Sequence, residues 1–160
     1  MLKEIKMGDV QDFTNFVNAV IDEASFDNIM SYIDYAKQSP DAEIVFGGNG
    51  DKSVGYFVEP TVIRTTDSMF KSMVEEIFGP VLPMLPFDDI GEAVALINDR
   101  EKPLALYYFG PEKTGREVLL HTSSGGACIN DTIMQIANDR LPFGGVGNSG
   151  MGRYLSLIHI

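Results

Sequence analysis

Tryptophan is absent from the 160-residue chain, cysteine occurs once (Cys128), and histidine twice, at His121 and His159. One cysteine excludes an internal disulfide and any multi-cysteine metal site, and two distant histidines lack zinc-ligand spacing. Basic residues are scarce as well: Lys+Arg 12 against Asp+Glu 23 gives a formal net charge of −11. Such a surface repels phosphate backbones and anionic lipid, so nucleic acid and membrane are poor partners, while a local basic pocket for one small anion stays open. No apolar run nears the roughly 18 residues that cross a bilayer, and the opening MLKEIKMGDVQDF lacks the apolar segment of a signal peptide. No internal repeat, low-complexity tract or evident linker interrupts the chain. The expectation is a cytoplasmic, metal-free protein acting on a small molecule.

What is present is ordinary for one globular domain: 44% apolar and 22% charged residues, enough chain to bury roughly 70% of its unfolded surface. SFDNIMSYIDYAKQ (Ser25–Gln38) places Phe26, Ile29, Ile33 and Ala36 on one helical face, with Ser25 or Asp22 as cap. EIVF (Glu43–Phe46) predicts a short strand closed by Gly47-Gly48. YFVEPTVIR (Tyr56–Arg64) has strand character, but Pro60 makes part of it an edge or a bend. Val81–Phe87 carries two prolines and is expected to be extended rather than a central strand. Asp89-Ile90-Gly91-Glu92 resembles a capping box opening a helix through Ala93, Val94, Ile97 and Asn98. LALYYF (Leu104–Phe109) reads as the best-buried strand, Thr114–His121 as a helix and Ala127–Asn130 as a short strand. Helices alternating with short apolar strands predict an α/β layer structure with at least some parallel pairing.

The stretch PFGGVGNSGMG (Pro142–Gly152) has five glycines in eleven residues, and Gly145-x-Gly147-x-x-Gly150 has the spacing of a dinucleotide-phosphate loop. That loop needs a strand before it, a helix on its last glycine and an acid about 20 residues on. Leu141-Pro142-Phe143 ends no good strand, and only ten residues follow Gly150. Two readings survive: a surface turn with positive φ at several glycines, or a close-approach loop bringing backbone and Phe143 to a ligand or neighbouring segment. Cys128, between Ala127 and Ile129, reads as a buried strand residue without an activating base, and His121 as a helix-terminal histidine. Glu75-Glu76-Ile77-Phe78-Gly79-Pro80 is either a solvated acidic helix end before a turn, or two carboxylates for sugar hydroxyls beside a ring that covers a planar group. Glu59 reads as a solvated strand-edge carboxylate.

Three motifs in order, GYFVEPTV (Gly55–Val62), EEIFGPVL (Glu75–Leu82) and PFGGVGNSGMG, resemble the aldehyde dehydrogenase superfamily from Met1 to about Tyr154. The resemblance implies part of an α/β catalytic domain, an open and mostly parallel sheet flanked by helices, that oxidises an aldehyde to a carboxylic acid with NAD or NADP. It implies that Glu76 holds the nicotinamide ribose, that Phe78 packs near the nicotinamide, and that Phe143 lines the substrate end of the site. It also implies that the cysteine nucleophile, the general-base glutamate and the phosphate-binding region precede Met7–Val10 in family members. The chain is therefore expected to hold no catalytic residue of its own, to be inactive alone and to bind no cofactor tightly. A small aldehyde and a homo-oligomeric assembly are the partners implied for the parent enzyme. The competing expectation is a short non-catalytic interaction module whose exposed sheet edges favour aggregation.

Residues Asp12–Ile29 and Gly47–Val62 resemble 1-pyrroline-5-carboxylate dehydrogenases, which oxidise glutamate semialdehyde in proline catabolism. Arg100–Gly110 and Ser123–Ile133 resemble class 3 aldehyde dehydrogenases, which favour fatty and aromatic aldehydes. A chimera joined near Glu75–Leu82 is the expectation this raises. The terminal LSLIHI (Leu155–Ile160) is what CTG TCT CTT ATA CAC ATC encodes, a transposon end used to prepare sequencing libraries. It is read as a non-native tail rather than an apolar strand, because the family pattern breaks at the same residue. An unbroken single-molecule DNA read across residues 75–82 and 154 is expected to separate two parent genes and to replace LSLIHI; an intact gene encoding all 160 residues contradicts both expectations.

Overall fold

Asp22 precedes a stretch whose apolar residues recur every three or four positions, and its side chain closes the helix they form. In the computed structural model, which describes residues 2–154, helix α1 spans Glu23–Gln38 and Asp22 is its cap, accepting from the Ser25 amide at 2.7 Å. The hydrogen bond lowers the Asp22 carboxyl below its ordinary value, as expected for an anion at a helix start. Phe26, Ile29, Tyr32, Ile33 and Ala36 form the buried face, a stripe of helical period. The suspected tail Leu155–Ile160 lies outside the described residues.

The chain divides into two compact units, Met1–Pro86 and Phe87–Ile160. In the first, α1 is followed by β1 (Ala42–Phe46), β2 (Gly50–Asp51), β3 (Phe57–Val58), β4 (Thr61–Thr65), the single turn α2 (Lys71–Val74) and β5 (Val81–Met84). A sheet of order β1-β4-β5 has β1 antiparallel and β5 parallel to β4, while β2 and β3 make a separate antiparallel ribbon. β4 is buried along its length except at Arg64, which pairs with its register neighbour Glu43 at 2.7 Å. Pro60 splits the apolar run Tyr56–Arg64 into β3 and β4, and Pro83 is tolerated because β5 is the sheet's edge. Two adjoining clusters make the core: Phe26, Ile29, Ile33 and Val58 in one, and Ala36, Ile63 and Phe70 in the other.

The second unit holds α3 (Ile90–Asn98), β6 (Ala105–Tyr108), α4 (Glu112–His121), β7 (Gly126–Ile129), the turn α5 (Met134–Ala137), β8 (Phe143–Gly144) and β9 (Arg153–Tyr154). Asp89 caps α3 by accepting from the Gly91 amide at 2.7 Å, and Glu92 reaches back to the Asp88 amide at 3.3 Å. β6 and β7 are parallel, with α4 between them in sequence. Gly115 lets α4 approach that pair: a Cβ there would stand 2.7 Å from the Tyr108 ring. The fold is α/β, as expected; among the described strands β4/β5 and β6/β7 are parallel ladders of four pairs each, and the other three ladders are antiparallel.

One expectation fails. β6 is not the best-buried strand; only Leu106 is buried, and Phe109 beyond it is exposed. A parallel strand is buried when both faces are covered, and β6 has one described sheet neighbour, β7. β4, flanked on both sides, takes that role. Ile33→Ala is expected to remove about 2–5 kcal/mol from the first unit in a urea titration, because Ile33 is fully buried between strand and helix residues. A loss below about 1 kcal/mol would contradict this packing.

Candidate functional site

EEIFGP follows α2, and the structure fastens some of its residues and leaves others free. Glu75, itself exposed, is tied back to α1: its Oε2 accepts from the Tyr32 hydroxyl at 2.6 Å. Ile77 packs against the Phe26–Ile29–Ile33–Val58 cluster. Gly79 lies so close to α1 that a Cβ would stand 2.5 Å from Ile29 Cδ1. The Thr61 amide donates to the Pro80 carbonyl at 2.8 Å, handing the chain to the sheet. The two residues left over are Glu76 and Phe78. Both are exposed, Phe78 to 80%, and among the described residues no hydrogen bond or ion pair holds the Glu76 carboxylate. An unpaired acceptor beside an uncovered ring suits a diol next to a flat heterocycle.

Behind them, the Lys71 ammonium lies 4.5 Å from the Tyr32 ring centroid and 5.8 Å from that of Tyr35, a cation–π arrangement. The hydrogen bond to Glu75 raises the Tyr32 phenol above its ordinary value, reinforced by burial and by the negative charge of Glu75. Glu59 is tied down rather than merely solvated: its Oε2 accepts from Asn49 Nδ2 at 2.9 Å and from the Asn49 amide at 3.3 Å.

In the second unit, Phe143 and Gly144 pair with Tyr154 and Arg153 to close the glycine-rich loop as a hairpin. Only Gly147 within it has φ in the left-handed range, at +64°. Of the two readings of this loop, positive φ at several glycines is corrected and close approach fits: a Cβ on Gly145 would collide with the Ser149 carbonyl, and one on Gly150 would stand 2.8 Å from the Gly145 nitrogen. These glycines serve backbone-on-backbone approach. The Val146 amide is taken by Ser149 Oγ at 2.8 Å and the Gly150 amide by the Gly147 carbonyl at 3.2 Å. Donors spent inside the loop do not cradle a phosphate. Phe143 lines a cleft of about 220 Å³ with Leu104, Gly125, Gln135 and Leu141.

Gln135 is buried; its Nε2 donates to the Tyr107 hydroxyl at 2.9 Å and its Oε1 accepts from Cys128 Sγ at 3.0 Å. Cys128 is thus a strand residue as expected, but half-buried and hydrogen-bonded rather than fully buried. His121 ends α4, exposed. Among the described residues no group of three His, Cys, Asp or Glu could hold a metal, and no helix is long and apolar enough to cross a membrane. Glu76 and Phe78 belong to the first unit and Phe143 to the second.

Sequence reasoning passed over Tyr32 and Gln135. Tyr32 sits beside Ile33 and three residues after Ile29 on the apolar face, and a buried tyrosine needs a partner for its hydroxyl. That signal was readable; its partner, 43 residues away, was not. The Tyr32–Glu75 bond contributes fully below about pH 10 and is lost as pH rises through the raised phenol value. Tyr32→Phe is expected to delete the most alkaline part of the ultraviolet phenolate titration. A variant curve that superimposes on the parent above pH 10 would contradict the bond.

The Aldehyde dehydrogenase family profile matches residues 1–159. The chain is 46% identical over 155 residues to "Delta-1-pyrroline-5-carboxylate dehydrogenase, mitochondrial" of Dictyostelium discoideum, covering 93% of the chain and 28% of that protein. It is 44% identical over 136 residues to "Aldehyde dehydrogenase family 3 member A2" of Pongo abelii, covering 84% and 27%. Among solved structures, the "Substrate bound state of Staphylococcus Aureus AldH" superposes with a TM-score of 0.79 at 40% identity, covering 92% of this chain and 31% of that one. The "NAD+ complex structure of aldehyde dehydrogenase from bacillus cereus" superposes with a TM-score of 0.85 at 31% identity, covering 96% and 31%. The chain therefore spans less than a third of the proteins it matches. By profile, sequence and fold, the chain belongs to the aldehyde dehydrogenase family.

Proposed function

We propose that this chain supplies the cofactor-facing edge and part of the substrate wall of an NAD(P)-dependent aldehyde dehydrogenase. The parent reaction is oxidation of an aldehyde to its carboxylic acid. Glutamate semialdehyde is the substrate we infer, from the 46% identity to the Dictyostelium dehydrogenase. The observation that carries the proposal is the sorting of EEIFGP, which anchors Glu75, Ile77 and Gly79 and leaves Glu76 and Phe78 exposed together. Glu76 would accept from the nicotinamide ribose hydroxyls, and Phe78 would pack near the nicotinamide. When bound, the nicotinamide supplies the hydride acceptor of the oxidation. Orientation matters here because a misplaced acceptor ring loses the near-attack geometry.

Phe143, which lines a cleft in the second unit, would form a wall for the aldehyde's side chain. No residue of the chain is assigned as nucleophile or general base. Cys128 donates to a buried glutamine and has no neighbouring base among its described partners, so it does not meet the needs of an activated thiol. The chain is accordingly inactive alone, and its residues act with a segment that bears the nucleophile. The domain assignment, residues 1–154 as partial catalytic domain with a junction near Glu75–Leu82, is part of the same proposal. It accommodates two sets of resemblances on either side of a motif common to both.

A graft tests this. The chain replaces the segment it matches in the Dictyostelium relative, and NAD(P)+ reduction is followed with glutamate semialdehyde and with apolar aldehydes. The graft is expected to turn over, the isolated chain is not, and Glu76→Gln in the graft is expected to lower kcat/KM about tenfold or more, the worth of one charge-assisted hydrogen bond. A folded graft with no activity, or one indifferent to Glu76→Gln, would sink the assignment.

A further inference from the structure

The site residues named so far are those that would touch cofactor or substrate. Tyr32 touches neither, yet it holds the residue next to Glu76. Its ring belongs to the buried face of α1, 8% exposed, and its hydroxyl is the described donor to the Glu75 carboxylate, at 2.6 Å. Glu75 is itself exposed and lies just past α2, where regular hydrogen bonding ends; its amide still bonds the Lys71 carbonyl at 3.0 Å. Glu75 has left the helix, with φ −106° and ψ 140°, and the chain bends there. Tethering its carboxylate to α1 therefore fixes the point from which Glu76 departs. The later fastenings, Ile77 and Gly79, come after Glu76 and do not set its direction alone. Lys71, over the Tyr32 ring at 4.5 Å, holds that ring from the same turn of chain.

We propose that Tyr32 is a positioning residue of the cofactor-facing edge: by tethering Glu75 to α1, its phenol fixes the start of the turn that presents Glu76 and Phe78. The proposal rests on the assignment of Glu76 and Phe78 to the nicotinamide ribose and ring, and it adds a residue from a different element, α1. The raised phenol value of Tyr32 agrees with a bond to an ionised Glu75.

The test places a fluorine on the Phe78 ring and reads it by fluorine NMR, in the 160-residue chain without cofactor and in the graft described above with added NAD+. Tyr32→Phe and Glu75→Ala are expected to move and broaden the Phe78 resonance. Glu75→Gln, which keeps an acceptor for the phenol, and Tyr35→Phe, whose ring meets Lys71 and Phe70, are expected to leave it in place. A role confined to general stability would not separate these four variants. Glu75→Ala changes an exposed side chain outside the core, so it keeps the test sound if Tyr32→Phe fails to fold. A Phe78 resonance unchanged in both Tyr32→Phe and Glu75→Ala overturns the proposal. The NAD+ arm distinguishes the two claims. A shift on adding NAD+ that is reduced in Tyr32→Phe supports both. The variant pattern without any NAD+ response leaves Tyr32 as the positioner of this turn and removes the cofactor assignment of Glu76 and Phe78.

Discussion

One buried helical face governs the first unit. Phe26, Ile29, Ile33 and Ala36 press α1 onto Val58 and Ile63, and the EEIFGP turn is built directly against that helix. Ile29 is both a core residue and the surface on which Gly79 rests; the missing glycine side chain brings the chain within van der Waals reach of it. Tyr32, one turn further along α1, reaches the start of the same motif at Glu75. The helix therefore acts as a template whose shape is copied into the turn. An exposed carboxylate and ring are thereby held by apolar packing beneath them, without spending their own polar groups on the protein. Rigid support behind adaptable contact groups is the usual requirement for a site that must bind a cofactor in one orientation.

The second unit solves a different problem. Its parallel pair β6/β7 is covered by α4 on one side, where Gly115 meets Tyr108 and Ile129. A buried amide, Gln135, links Tyr107 and Cys128 across the strands. The glycine-rich hairpin then folds onto itself: Gly145 and Gly150 let two backbone segments meet, and the amides of Val146 and Gly150 are satisfied within the loop. A phosphate cradle needs those amides turned outward, so spacing that matches a nucleotide motif serves compaction here. What the hairpin offers to a ligand is the ring of Phe143 and the cleft beside it.

The elements were legible where a local rule sufficed. The cap Asp22, the periodic face of α1, the break at Pro60, the capping of α3 by Asp89 and the glycine-flanked strands all follow from neighbours within a few residues. Burial was less legible, since it depends on what lies alongside in space. LALYYF is apolar enough for a central strand, yet β6 has one described sheet neighbour, while the less uniform β4 has two. The site was legible in part. Glu76, Phe78 and Phe143 came from motif resemblance, because residue type and order survive without geometry. Tyr32 and Gln135 did not, because a hydrogen bond spanning 43 residues leaves no periodic trace. The glycines kept two readings for a similar reason: positive φ and close approach both select glycine, and only coordinates separate them.

We propose that packing against α1 aims Glu76 and Phe78 at a nicotinamide riboside. A crystal structure of the grafted enzyme with NAD+ bound would test it most directly. The account predicts the Glu76 carboxylate within hydrogen-bond distance of the nicotinamide ribose hydroxyls, Phe78 against the nicotinamide, and Tyr32 still bonded to Glu75. A riboside held by other residues, with Glu76 turned to solvent, would contradict it.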